Sequence, residues 1–302
     1  MAWKEYEQKV SEYFTNKFPG AKLERNIKLF GNKSRTEREI DILLENTLFG
    51  CSMQLVIECK SWNKKLDVAD IGTFIDKLND IGIPKGIMIS KAGYTEAAYT
   101  RAKSEVNVQL QVLNFDNLDA YIGFWGNAYR GNLGAIISAP NGWVINNNVP
   151  PSKLIDFLCF MHPMSFSLEE SQIKKQFMYF QIFPNIGTSK LEDAFRHQVE
   201  EVLEKDSKAK IKYWKENSPK GELLYRQIDY EQHNYTEITG GAQCDDFFAY
   251  CVYALPNDYN SDDMARLKHV MNELHLLKIK DVDPVNSHEA WTKLQRKIGM
   301  GN

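Results

Sequence analysis

Apolar residues recur along this chain at two different periods, and the switches between them mark out its elements. Over residues 2–18, Trp3, Tyr6, Val10, Tyr13 and Phe14 are spaced by three and four, and Pro19-Gly20 ends the run. That pattern predicts an amphipathic helix. Residues 22–30 predict a strand, followed by a polar turn at Gly31-Asn32-Lys33-Ser34. Two apolar strands come next, Ile40-Asp41-Ile42-Leu43-Leu44 and Gln54-Leu55-Val56-Ile57-Glu58-Cys59-Lys60, joined by a loop at 47–52 as in a hairpin or meander. Residues 66–81 predict a helix with Val68, Ile71, Phe74, Ile75 and Leu78 on one face. A strand at 86–90, a helix at about 95–106 and a strand at 108–115 follow. From Leu66 onward the order helix, strand, helix, strand implies parallel pairing. The N-terminal half therefore reads as α/β, a sheet flanked by helices.

Beyond about residue 120 the texture changes. Gly123, Gly126, Gly131, Gly134 and the run Asn146-Asn147-Asn148-Val149-Pro150-Pro151 punctuate the chain. The boundary falls between 116 and 133, giving domains at 1–125 and 131–302. The second is expected to be α+β. It carries a hairpin of strands 134–139 and 143–146 around Pro140-Asn141-Gly142, helices near 152–161, 189–206, 261–278 and 288–298, and strands near 222–231 and 246–255.

The 302 residues are 43% hydrophobic and 25% charged, enough apolar material for a substantial core. No apolar run is long enough to span a bilayer, and acids within the first seven residues exclude a signal peptide. Cys51, Cys59, Cys159, Cys244 and Cys251 form no CxxC pair and read as reduced thiols of a cytoplasmic protein. The net charge of −3 does not advertise nucleic-acid binding, but it is unevenly spread. Residues 1–130 hold 18 Lys and Arg against 17 Asp and Glu, whereas residues 131–302 hold 19 against 23. A polyanion meets less repulsion from the first half.

The chemistry lies in the charges inside apolar strands, which are costly unless paired or bound to metal. Strand side chains alternate, so Glu58 and Lys60 share a face while Leu55, Ile57 and Cys59 take the other. Asp41 puts a second acid in the preceding strand. Two carboxylates and an ammonium converging on one spot can hold a divalent cation and a phosphate. Mg2+ prefers such carboxylate oxygens, and the Cys59 backbone carbonyl is a candidate further ligand. Lys60 can orient an attacking water and contact the phosphate. Glu7 lies at the edge of the first helix's apolar stripe, about 20° from Phe14; Glu5 and Glu12 fall well outside it. Glu7 can complete the site through water or a second metal, or else bend out to solvent.

These residues resemble the PD-(D/E)xK nuclease superfamily and, within it, the Mrr-like restriction endonucleases. The resemblance covers roughly residues 3–115. It rests on Tyr6-Glu7, on Arg38-Glu39-Ile40-Asp41-Ile42-Leu43, on Val56-Ile57-Glu58-Cys59-Lys60 and on the strand–turn–helix from Gly86 to Ala98. It departs from the motif at Ile40, where the motif's name has proline. It implies a restriction-endonuclease-like core with a mixed sheet flanked by helices, and Mg2+-dependent cleavage of DNA (Mn2+ substituting). Asp41 and Glu58 would be the metal ligands, Lys60 the catalytic lysine and Glu7 the family's helix glutamate. Restriction or phage defence is the leading setting. A structure-specific repair nuclease and a catalytically silent DNA-binding module are the alternatives.

Lys64 and Lys65, just past the catalytic strand, are placed to meet DNA. A symmetric homodimer is the simplest route to cutting two strands, and an activating ligand or protein remains open. The six histidines show no HxxxH or HxH spacing for zinc. Phe177, Tyr179, Phe180 and Phe183 read as core, the lysines from 205 to 215 as a solvated face, and Cys244-Asp245-Asp246 as a solvated loop.

Overall fold

The computed structural model describes residues 3–48, 51–130, 132–146, 159–185, 190–218, 221–244 and 247–278. The chain divides into two compact units. One comprises the described residues of 1–124, 139–143 and 261–269, and the other those of 125–138, 144–260 and 270–302.

The first unit opens with helix α1 (Trp3–Lys17), strands β1 (Lys22–Phe30), β2 (Glu37–Leu48) and β3 (Cys51–Lys60), and helix α2 (Val68–Ile81). Strand β4 (Lys85–Ser90), helix α3 (Glu96–Ser104) and strand β5 (Gln109–Asn114) complete it. The five strands lie in sequence order. β1–β2 and β2–β3 are antiparallel, β3–β4 and β4–β5 parallel, so the sheet is mixed. The parallel half needs crossover connections, and α2 and α3 supply them. Strands β2 and β3 extend to Leu48 and Cys51, so residues 47, 48, 51 and 52 of the expected loop are strand, and 49 and 50 lie outside the described residues.

Each sheet face buries a different helix stripe. Tyr6, Val10 and Phe14 of α1 are fully buried, and Tyr6 packs on Phe115 with ring centroids 4.7 Å apart. On the other face Ile71, Phe74, Ile75 and Leu78 of α2 join Ala98 and Ala102 of α3 against Ile40, Leu43, Val56, Met88 and Val112. Two residues placed in these stripes by periodicity are exposed instead: Trp3 and Val68, the first residues of their helices. Helix α2 has strong ends. Asp67 accepts from the Ala69 and Asp70 amides while its own amide donates to the Asp70 carboxylate, and the Gly82 amide, at φ 74°, donates to the Leu78 carbonyl and closes the helix. The helix also lies close on β4, since a Cβ on Gly86 would stand 2.6 Å from Leu78 Cδ1 and 2.8 Å from the Phe74 ring.

Residues 139–143 belong to this unit through specific bonds. Asn141 Oδ1 accepts from the Leu110 amide at 3.1 Å, and its Nδ2 donates to the carbonyls of Ala102 and Glu105. Trp143 closes a turn onto the Pro140 carbonyl.

The second unit has β6 (Trp125–Arg130), β7 (Leu133–Ser138), β8 (Trp143–Asn146), β9 (Cys159–Pro163), α4 (Leu168–Ile173), β10 (Phe177–Pro184) and α5 (Leu191–Lys205). It continues with β11 (Lys210–Ser218), β12 (Gly221–Tyr230), β13 (Tyr235–Gln243), β14 (Phe247–Pro256), α6 (Ser261–Glu273), which also enters the first unit, and β15 (His275–Lys278). A seven-stranded sheet runs β11-β12-β13-β14-β10-β9-β8, and a three-stranded one runs β15-β7-β6. Gly240 and Gly241 of β13 let side chains press on opposite faces, Met271 of α6 on one and Leu191 of α5 on the other.

Several expectations for this unit are corrected. The strands around Pro140 do not pair as a hairpin: β7 pairs with β6 and β8 joins the larger sheet. The helix expected at 261–278 ends at Glu273, and His275–Lys278 turns into a strand against β7. Residues 159–161 of the expected helix 152–161 are strand, paired with β10, and the rest of it lies outside the described residues, as does 288–298. Phe180 is fully buried in β10, as the core reading expects. Cys244 is half-buried, and Asp245 and Asp246 lie outside the described residues.

The close seat of α2 gives a test. Gly86→Ala forces Leu78 or Phe74 to move in a filled core, so we expect a loss of about 1–3 kcal/mol in urea unfolding. An unchanged midpoint would show that α2 does not bear on β4 as tightly as the geometry requires.

Candidate active site

The β2–β3 ladder pairs Leu48 with Cys51 at one end and Ile42 with Ile57 at the other, and there it stops. Beyond that point the two strands diverge, and the residues on either side of the opening are Asp41 on β2 and Glu58 and Cys59 on β3. The Cys59 amide, deprived of a strand partner, donates to Asp41 Oδ2 at 2.7 Å. A residue's N–H and C=O point to the same side of a strand. The Cys59 carbonyl is therefore directed toward the same opening, while the Lys60 carbonyl accepts from Lys91 on the other side.

Glu58 is buried, and two ammonium groups hold it. Lys60 Nζ lies 2.8 Å from Oε1 and Lys77 Nζ 2.8 Å from Oε2. Lys77 comes from α2 and also donates to the Glu39 carbonyl at 3.0 Å. Lys60 Nζ also stands 4.9 Å from the ring centroid of Trp62, which is 39% exposed; Lys64 Nζ is 5.0 Å from the same ring. Lys64 reaches 3.7 Å from Asp67 and 3.6 Å from Asp70, and it and Lys65 are exposed on the connection between β3 and α2.

Asp41 is less well provided. Burial first, and then the charge of Glu58, push its carboxyl up to about 6, against the lowering effect of the Cys59 amide, Lys77 and Lys60. Burial, and then the charges of Asp41, Glu7 and Glu58, push the Cys59 thiol far up, which disfavours its thiolate form.

Glu7 is 1% exposed and turned inward, which disposes of its solvated reading. Its Oε1 accepts from Asn26 Nδ2 at 2.9 Å and from Arg25 Nε at 3.4 Å, so its bonds run to β1. Asn26 takes a left-handed conformation, φ 52°, at the strand position that would oppose Asp41. A groove of about 540 Å³ lined by Trp3, Lys4, Glu7, Gln8, Arg25 and Asn26 leads to this carboxylate.

The structure thus brings Asp41, Glu58, Lys60 and the Cys59 backbone together and sets Glu7 on β1. Among the described residues no three carboxylate, histidine or thiol groups close into a metal cage. What fits the set is one hard divalent cation that keeps several waters and takes its protein oxygens from Asp41, Glu58 and the Cys59 carbonyl. The conflict between two neighbouring, largely buried carboxylates is the kind a cation relieves. Lys77 and Trp62 are the site neighbours that the sequence reading missed.

The Asp41 conflict has a measurable consequence in the metal-free chain. Its folded pKa of about 6 exceeds the unfolded value near 4, so the folded state holds the proton longer. The penalty is therefore fully present above about pH 6 and disappears below about pH 4. We expect Asp41→Asn, which can still accept from the Cys59 amide, to raise unfolding stability in EDTA at about pH 7.5 by on the order of 1–2 kcal/mol. The gain should shrink as pH falls toward 4. Destabilisation by Asp41→Asn at about pH 7.5 would show that the carboxylate is well satisfied without a cation.

Residues 1–121 match the Mrr_cat family model, described as restriction endonuclease. No curated protein matches the chain. Among solved structures, the chain is similar to the crystal structure of AF1548, a protein of unknown function, at 20% identity and a TM-score of 0.30. That match covers 37% of this chain and spans 58% of the other. It is also similar to the solution structure of CyanoP, the cyanobacterial PsbP of Synechocystis sp. PCC 6803, at 9% identity and a TM-score of 0.36, over 52% of this chain and 95% of that one. Neither likeness is close enough to carry an argument. The family match is different in kind, because the mixed sheet, its flanking helices and the strand opening at Asp41 and Glu58 all fall within it: residues 1–121 are a restriction-endonuclease-like domain of the Mrr family.

Proposed function

We propose that this nuclease domain is a Mg2+-dependent deoxyribonuclease, with Mn2+ able to substitute, working in restriction or phage defence. The observation that carries the reading is the opening between β2 and β3, where Asp41, Glu58 and the Cys59 carbonyl face one another with Lys60 on Glu58. The family description supports DNA as substrate and restriction as the setting.

When bound, the cation supplies charge against the phosphoryl oxygens and lowers the pKa of water. The chain's own residues do the rest. Asp41 and Glu58 provide the hard oxygen ligands. Lys60 is shared between Glu58 and the face of Trp62, contacts that leave it able to turn toward a phosphate oxygen and orient the attacking water. Glu7, fixed by Asn26 and Arg25, acts through water or a second cation at the groove behind α1. Lys64 and Lys65 meet the DNA backbone near the site. The second unit serves recognition, regulation or dimerisation, and a symmetric pair of chains accounts for two cuts from one site per chain.

Plasmid cleavage should require Mg2+ or Mn2+ and stop in EDTA. Asp41→Ala, Glu58→Ala and Lys60→Ala should each lower the single-turnover rate by orders of magnitude with the circular dichroism spectrum preserved. Glu7→Gln should lower the rate more than DNA affinity measured in Ca2+. Wild-type cleavage in excess EDTA would falsify the metal mechanism. Failure to cut plasmid, linear and branched DNA in either metal would make the domain a silent binding module.

A further inference from the structure

Past Ile42 and Ile57 no ladder bonds hold β2 to β3, yet this is where the two acids must keep a fixed separation. Two links span the opening. One is the Cys59 amide on Asp41. The other is Lys77, whose single ammonium bonds the Glu39 carbonyl on β2 at 3.0 Å and Glu58 Oε2 on β3 at 2.8 Å.

Lys77 is itself held from a third element. Its neighbours on α2, Phe74 and Leu78, are buried against β4, and α2 is capped at both ends. The side chain is 16% exposed and its Glu58 partner 8%, so the pair is shielded from the solvent that weakens surface ion pairs. Lys60 is built differently. Its contacts are Glu58 Oε1 and the ring of half-exposed Trp62, and neither ties it to β2. One lysine can leave Glu58 for a substrate without unfastening the strands; the other cannot.

We propose that Lys77 is a positioning residue of the candidate metal site: its ammonium fixes the Glu58 carboxylate and the β2 backbone beside Asp41, and so sets the distance between the two acids. The proposal rests on the metal-nuclease reading above. Lys77 touches no reacting atom. It acts by keeping Glu58 in one place and by holding β2 where its ladder has ended.

The test uses the full chain and Mn2+ alone, with binding followed by calorimetry in the absence of DNA. Lys77→Met keeps the aliphatic stem and loses the ammonium. We expect it to weaken Mn2+ binding by about 10- to 100-fold, the usual effect of losing a group that orients a ligand. DNA affinity in Ca2+ at a concentration that fills the site in both proteins should stay within about twofold. Lys77→Arg keeps the charge, but its larger planar head cannot place one donor on both acceptors in the same way, so it should fall between, several-fold weaker than wild type. Either variant binding Mn2+ as tightly as wild type overturns the proposal, including a Met variant whose only change is a lower melting temperature. Tighter binding by Lys77→Met also overturns it, because Lys77 would then be competing with the cation. Should the Met variant fail to fold, the Arg variant decides. The two readings fail separately: a wild type that binds Mn2+ but cuts no DNA refutes the nuclease and leaves the Lys77 comparison readable. A wild type that binds no Mn2+ refutes both.

Discussion

The hydrogen bond from the Cys59 amide to Asp41 is the contact on which the site depends. A buried backbone amide without a partner costs about 1–3 kcal/mol. Where β2 leaves β3, a side-chain carboxylate replaces the lost strand carbonyl. That substitution lets the sheet open without leaving the amide unsatisfied, and it brings a negative charge to the gap beside Glu58. The charge is poorly compensated, as the raised pKa of Asp41 records. Glu58 next to it is held by two ammonium groups. The sheet therefore pays for its opening at one residue, and that residue is a proposed metal ligand.

How much of this was legible in the sequence depends on the distance over which each signal acts. Alternation placed Glu58 and Lys60 on one face, and their side chains do meet. The helix–strand order after Leu66 gave the parallel half of the sheet. The opening between β2 and β3 was not legible, because β2 reads as an uninterrupted apolar run with one acid in it. Lys77 was missed for a related reason. It borders the apolar stripe of α2 about 60° from Phe74, as Glu7 borders that of α1, and such positions usually reach water. Here both turn inward, because the sheet beneath each helix edge offers partners: Asn26 and Arg25 for Glu7, Glu58 and the Glu39 carbonyl for Lys77. A charge at a stripe's border is a site candidate when the facing strand carries the complementary group, and that requires the pairing to be known.

The second unit was read less well because its sheet blurs the periods. β14, with β13 on one side and β10 on the other, is buried at nine of its ten positions and shows no alternation. β15, His275-Leu276-Leu277-Lys278, begins one residue after α6 ends, and periodicity alone extends the helix through it. The lysines of β11 belong to an edge strand, where exposed charges guard against pairing with another chain. The polar turn at Pro140 is real, but the strands on either side enter different sheets, a choice made by distant partners rather than by the turn. Asn141 in that turn bonds to Ala102, Glu105 and Leu110, so the compact unit carrying the candidate site does not coincide with an unbroken stretch of sequence.

Charge counting in the opening connects the resting state to the proposed chemistry. Above about pH 6, Asp41 and Glu58 contribute two negative charges and Lys60 and Lys77 two positive ones, so the four side chains sum to zero. A neutral, largely buried group offers little to a phosphodiester, in keeping with a chain whose overall charge is −3. On the proposed reading, a divalent cation makes the same group positive only once it is in place. Attraction for the DNA phosphate and competence to cut it then arise together, and neither requires a strongly basic surface. This also explains why the two lysines are not equivalent. The one that turns to substrate must exchange its carboxylate for a phosphate, while the one that spans β2 and β3 keeps its partners, so that the carboxylates remain in register when the charge of the site changes.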